Sequence, residues 1–207
     1  MYARRDEIFI FAAWGMALAL SSVHPKDNLT LFMEVLPVLI AGPLLYATRR
    51  SFPLSRLLLW AAFVHGLILI MGGHYTYAEV PFGFYLQDVF GFARNPYDRI
   101  GHLAQGLVPA LLTREILLRK SPLRSGKLLF LLAVSVPLAF SAFYEMIEWW
   151  AALAMGQDSD AFLGTQGDPF DTQADMFMAL IGAVVGQLLL ARWQDRQLAG
   201  MGLTETA

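Results

Sequence analysis

The chain has 207 residues, 57% of them hydrophobic and only 15% charged, and it contains no cysteine. A water-soluble domain carries roughly 25% charged residues, so this balance excludes an ordinary soluble globule and points to an integral membrane protein. A net charge of −2, from 15 basic and 17 acidic residues, leaves no basic face for nucleic acid. The missing cysteines exclude disulfide scaffolds, thiolate zinc sites and thiol nucleophiles.

Crossing ~30 Å of hydrocarbon takes about 20 apolar residues at 1.5 Å each. Six runs approach or exceed that length: 8–23, 29–47, 57–77, 97–118, 128–155 and 169–193. The expectation is one polytopic transmembrane domain over residues 1–207, an all-α bundle of six transmembrane helices. In the first run, Arg4 and Arg5 ahead of a short apolar stretch and Ala17-Leu18-Ala19 also fit a cleavable signal peptide. Its aromatic residues Phe9, Phe11 and Trp14, and the five spans that follow, favour an uncleaved helix.

The second run carries Glu34 about a turn and a half from its start, and prolines 37 and 43. Prolines 109 and 137 lie inside later runs; all four are read as kinks supported by neighbouring helices. The third run holds His65 near its middle, read as a hydrogen-bonded packing residue, and His74 near its end, which suits either the interface or a site. Eight aromatic residues fall in the stretch from His74 through Tyr97, an interfacial belt or a lid.

The fourth and sixth runs begin alike, with Asn95-Pro96-Tyr97-Asp98 and then His102, against Asp168-Pro169-Phe170-Asp171 and then Asp175. Asn and Asp are preferred N-caps, Pro suits the first helical position, and an acid in the first turn meets the positive end of the helix dipole. Capping alone therefore accounts for part of this repeat, but it does not reach His102 and Asp175. Each lies four residues past its aspartate on the same face, so each helix projects a ladder of two polar groups. The fifth run adds Glu145 and Glu148 at a spacing of three, again on one face. Gly182 and Gly186 form a small-residue stripe in the sixth, a packing feature.

Orientation follows from the basic residues. Twelve of the 15 lysines and arginines fall at the chain start, in the loops after runs two and four, or near the end; only Lys26, Arg94 and Arg99 lie on the other side. Both termini are therefore expected in the cytoplasm. On this map Glu34, Asp98, His102, Glu145, Glu148, Asp171 and Asp175 all lie in the outer half, while the inner half offers chiefly Glu115. Charged groups in hydrocarbon cost roughly 2.5–3.5 kcal/mol at the bilayer centre and normally face a protein interior with partners. Six carboxylates outnumber the nearby cations, which calls for protonation or a bound cation. A divalent ion such as zinc, manganese, magnesium or iron, held by carboxylate oxygens and an imidazole, answers the imbalance.

The segments Asn95-Pro96-Tyr97-Asp98-Arg99-Ile100-Gly101-His102, Tyr144-Glu145-Met146-Ile147-Glu148-Trp149 and 167–176 resemble the YjdF family of bacterial inner-membrane proteins, and the likeness covers almost the whole chain. It implies a multi-pass protein of the bacterial inner membrane and names no reaction. A more distant likeness is to VanZ-like proteins, through Asp98, Arg99 and His102, then Glu145 with Glu148 in place of a glutamine, then Asp175, Gly182 and Gly186 with Ala179 in place of an asparagine. The arginine and serine that usually precede the last aspartate are not evident. This second likeness implies a cell-envelope context.

Three readings result. The first is a membrane enzyme or binding protein whose outward-facing cluster holds a divalent metal through His102, Glu145, Asp171 and Asp175, with Glu148 or Asp98 as second-sphere group or general base, and acts on a lipid-linked or envelope small molecule. The second is a proton-coupled small transporter, which needs a polar path continuing to the cytoplasm, hinted at only by His65 and Glu115. The third is a non-catalytic assembly or structural protein whose polar cluster pins helix contacts. No G-x-S-x-G element, P-loop or H-E-x-x-H helix is present.

Overall fold

The computed structural model describes residues 4–155 and 165–202, and these residues form helices and loops without strands. In chain order the helices are α1 (Arg4–Ser21), α2 (Asn28–Thr48), α3 (Arg56–Tyr75), α4 (Pro81–Phe90), α5 (Tyr97–Lys120), α6 (Lys127–Met155) and α7 (Asp171–Gly200), with a single 3-10 turn at Tyr77–Glu79. The six expected runs each become one long helix, and all four internal prolines sit within helices.

Local chemistry sets the ends. Asp27 caps α2 by accepting from the Thr30 N–H at 2.7 Å, a bond to the ionised carboxylate that lowers its pKa below the usual aspartate value. Ser55 caps α3 through the Leu58 N–H. The aromatic segment, expected as an interfacial belt or a lid, holds a short helix: α4 starts with Pro81 and stops at Gly91, whose φ of 67° places it in the left-handed region. Phe82, Phe84, Tyr85, Phe90 and Phe92 stay exposed on and just after it, the disposition of an interfacial segment.

Contacts between helix ends show that the long helices alternate in direction. At one end His74 Nδ1 donates to the Ser21 carbonyl at 2.8 Å, Lys26 pairs with Glu79, and Tyr144 donates to the Met33 carbonyl at 3.1 Å. At the other, Arg56 Nε lies 3.0 Å from Asp6, the Leu57 N–H donates to Gln197 at 2.8 Å, and Arg119 reaches the Pro53 carbonyl at 2.7 Å. This second end also holds fully buried Glu115, which accepts from the Ser55 N–H, Arg119 and Gln194.

Four helices, α2, α3, α6 and α7, are long and apolar enough to cross a membrane. The other two long helices depart from the expected six for different reasons. α1 opens with Arg4, Arg5, Asp6 and Glu7 in only 18 residues. α5 is central, packed by α3, α6 and α7, and its buried His102, Arg114 and Glu115 face protein. A helix enclosed by neighbours need not be apolar all round. The outer surface is apolar: Leu188, Leu189 and Phe140, for example, are more than 60% exposed, as a lipid-facing belt requires.

The closest pairing is α5 on α7, and it rests on small residues. A Cβ at Gly106 would overlap the Ala179 carbonyl oxygen, and one at Gly182 would overlap that of Leu103. Backbone therefore meets backbone, which brings the first turns of α5 and α7 side by side.

Candidate metal centre

The repeated starts of α5 and α7 build matching turns. Asn95 Oδ1 accepts from the Tyr97 N–H at 3.0 Å, and Asp168 Oδ1 accepts from the Phe170 N–H at 2.9 Å. Both side chains thus serve an amide two residues on, as Asx turns do, and lie just outside the helices rather than at the expected cap position. The Asn95 amide also donates to the Val80 carbonyl at 3.1 Å, in space that only Gly83 leaves open. Gln166 and the Asn95 backbone exchange two hydrogen bonds of 3.1 Å each, which fastens the two turns together.

Two arginines bridge them. Asp171 Oδ1 accepts from Arg94 Nη2 at 2.6 Å and from Arg99 Nη2 at 2.7 Å. Arg99 also pairs with Asp175 and lies 3.4 Å from Asp168, while Arg94 donates to the Thr165 carbonyl at 2.8 Å. Asp171 and Asp175 are buried, so these charge-assisted bonds supply the partners that buried carboxylates need.

Below this clamp lies His102. Its Nε2 is 3.5 Å from Asp98, 3.7 Å from Asp175 and 3.8 Å from Glu145, so residues of three helices surround one imidazole nitrogen. These separations exceed the 2.7–3.2 Å of a good hydrogen bond. They approach the edge of a ligand tetrahedron, about 3.4 Å for ligands ~2.1 Å from a central ion. Asp98, His102 and Asp175 each present an atom that a single cation can reach. Glu145 Oε1 and His102 Nδ1 are buried without a hydrogen-bond partner, a state that normally signals a missing ligand or water.

Glu34, buried on α2, and Glu148, one turn from Glu145, lie within electrostatic range of Asp98, His102 and Glu145. The candidate residues thus gather at one end of the bundle, but in two settings. Asp98, His102, Glu145 and Asp175 face one another, with Glu148 nearby and the Asp175 Oδ1 also held by Arg99, whereas Asp171 is occupied by both arginines. His74 is spent on the Ser21 carbonyl. Sequence reasoning counted Arg94 and Arg99 as nearby cations, met Arg99 otherwise only in the VanZ-like match beside Asp98 and His102, and passed over Gln166. Nothing local marks these residues, since their partners lie about 70 residues away along the chain.

A family model described as "Predicted membrane protein (DUF2238)" matches residues 7–196. The chain is 54% identical over 188 residues to "Inner membrane protein YjdF" of Escherichia coli (strain K12), covering 91% of this chain and 90% of that protein. No solved structure matches.

Proposed function

Since this chain belongs to the DUF2238 family of predicted membrane proteins, we propose that it is a single-domain, six-pass protein of the bacterial inner membrane, with both termini cytoplasmic and a divalent-metal site under its outer surface. The alternating direction of six long helices supports six crossings, and the gathering of twelve of 15 basic residues at one end supports the orientation. The observation that carries the metal reading is the set of carboxylates from three helices 3.5–3.8 Å from His102 Nε2, beside an unpartnered Glu145 oxygen.

In this reading Asp98, His102 and Asp175 hold the ion and Glu145 completes the set. Asp98 is thus a ligand rather than the base first expected, because it lies nearest the imidazole. Asp171, first expected to be a ligand, instead anchors Arg99 and through it orients Asp175. Glu148 is left as the carboxylate able to take a proton from metal-bound water. The substrate class is read as a lipid-linked or envelope small molecule from the place of the cluster alone, buried just beneath the end of the bundle taken as outer. A transporter reading has less support: both Glu115 oxygens are engaged in hydrogen bonds, and apolar Ala110, Leu111 and Val108 intervene on α5.

The test is metal analysis of protein purified in detergent. About one divalent ion per chain is expected, lost in both His102→Ala and Asp175→Asn. Metal-free wild-type protein, or unchanged content in the variants, overturns the proposal and leaves the structural reading of the cluster.

A further inference from the structure

The end of the bundle opposite the carboxylate cluster carries charge of the other sign, and the acids around α5 there are already matched. Glu115 accepts from Arg119 at 2.8 Å, and Asp195 of α7 accepts from both terminal nitrogens of Arg114, Nη2 at 2.9 Å. Buried Arg114 also donates to Ser125 Oγ at 3.1 Å. One guanidinium thus ties the last turns of α7 to the connection that leads into α6.

This tie gathers basic residues from both segments at one corner. Arg192 precedes Asp195 by three residues and Arg196 follows it, while Arg124 precedes Ser125 and Lys127 opens α6. All four are exposed, and none pairs with a carboxylate among the described residues.

Helix length sets the level of this corner in the membrane. About 20 residues cross ~30 Å of hydrocarbon. Counted inward from the cluster, that reach runs from Asp175 to Asp195 on α7 and from Glu148 to Leu128 on α6, so the four basic residues stand at the level of the inner phosphate groups. Leu188 and Leu189, 68% and 72% exposed, precede Arg192 by four and three residues, so one face of α7 passes from apolar to basic. On α6, exposed Leu131 lies one turn from Lys127 in the same way.

We propose that this corner binds an anionic phospholipid of the inner leaflet, its phosphodiester among Arg124, Lys127, Arg192 and Arg196 and its acyl chains along Leu131, Leu188 and Leu189. A soluble acidic partner would meet the same charges but has no use for the exposed leucines that adjoin them. A zwitterionic lipid brings an ammonium group that four cations repel. The inference rests on the six-crossing reading and is independent of bound metal.

The full-length protein, stripped of lipid in dodecyl maltoside, is offered equal amounts of phosphatidylglycerol and phosphatidylethanolamine, and the retained lipid is weighed by native mass spectrometry. Each engaged cation contributes about fivefold in affinity, so a preference of at least tenfold for phosphatidylglycerol is expected. It falls to near parity in Arg192→Gln/Arg196→Gln and drops in Arg124→Gln/Lys127→Gln, while Arg192→Lys/Arg196→Lys keeps it. Arg49→Gln/Arg50→Gln also keeps it, because those basic residues share the end of the bundle but not the Arg114 tie. Equal retention of the two lipids by the unaltered protein, a preference unchanged in either glutamine pair at the corner, or an equal fall in Arg49→Gln/Arg50→Gln overturns the proposal. Displacement of the lipid by inorganic phosphate at matching concentration overturns it too, since the corner would then take free phosphate.

Discussion

Arg99 is the residue on which the polar end of the bundle depends. Its side chain is 16% exposed and its guanidinium meets three aspartates at the α7 start, two of them more than 90% buried as side chains. Breaking a buried ion pair from one side destabilises by 3–5 kcal/mol, because the surviving charge is left without a partner. Partial exposure places Arg99→Ala near the lower figure, about 3 kcal/mol, or on the order of 5–10 °C in the thermal midpoint of a chain this size. Arg99→Lys keeps the charge but loses the fork that reaches several carboxylates at once, so an intermediate loss is expected. Adding Asp171→Asn to Arg99→Ala removes one orphaned anion and restores part of the midpoint. Thermal unfolding in detergent reads all three; an unchanged midpoint in Arg99→Ala means the clamp contributes nothing to stability.

At the scale of elements, the decisive contact is α5 on α7. Gly106 and Gly182 let the helices approach until backbone touches backbone, whereas Gly15 and Gly42 have open space around the same position. Gly106→Ala or Gly182→Ala must push the helices apart, with an overpacking penalty of about 1–3 kcal/mol. Because Asp98 and His102 ride on α5 and Asp175 on α7, the same displacement loosens the candidate site, so bound metal is expected to fall along with the thermal midpoint. Gly15→Ala, in α1, is expected to leave both unchanged. This contact also shows how far the sequence was readable. The four-residue spacing of Asp98 with His102 and of Asp171 with Asp175 already placed each pair on one face, because helical periodicity is a local property. Which acids would meet arginines was not readable, since Arg94 and Arg99 reach Asp171 across more than 70 residues. α4 fell between these cases. Its Pro81 and Gly91 boundaries are ordinary helix punctuation, and Phe82, Tyr85, Leu86, Val89 and Phe90 recur at helical spacing, but at ten residues it is half the length of a membrane span, so a reading by spans left it as an aromatic belt or lid.

For the whole molecule, asymmetry between the two ends is the governing property. One end gathers acids and an imidazole bridged by Arg94 and Arg99; the other gathers most of the basic residues and the buried Glu115 network. Positively charged loops are retained in the cytoplasm during insertion, so the acidic end should face outward, accessible to an envelope substrate. The absence of native cysteine makes this directly measurable, because any introduced thiol is the sole one. Ser22 follows α1 at the acidic end, and Arg124 lies in the α5–α6 connection at the basic end; both are exposed. In intact spheroplasts a membrane-impermeant maleimide is expected to label Ser22→Cys and to spare Arg124→Cys until the membrane is permeabilised. The reverse pattern would invert the molecule and put the carboxylate cluster in the cytoplasmic leaflet. Labelling of both would show that the chain between them does not cross an odd number of times, against the alternating direction of α2, α3 and α5. Either result would separate the charge argument from the packing argument, since the first depends only on loop composition and the second only on which helix ends touch.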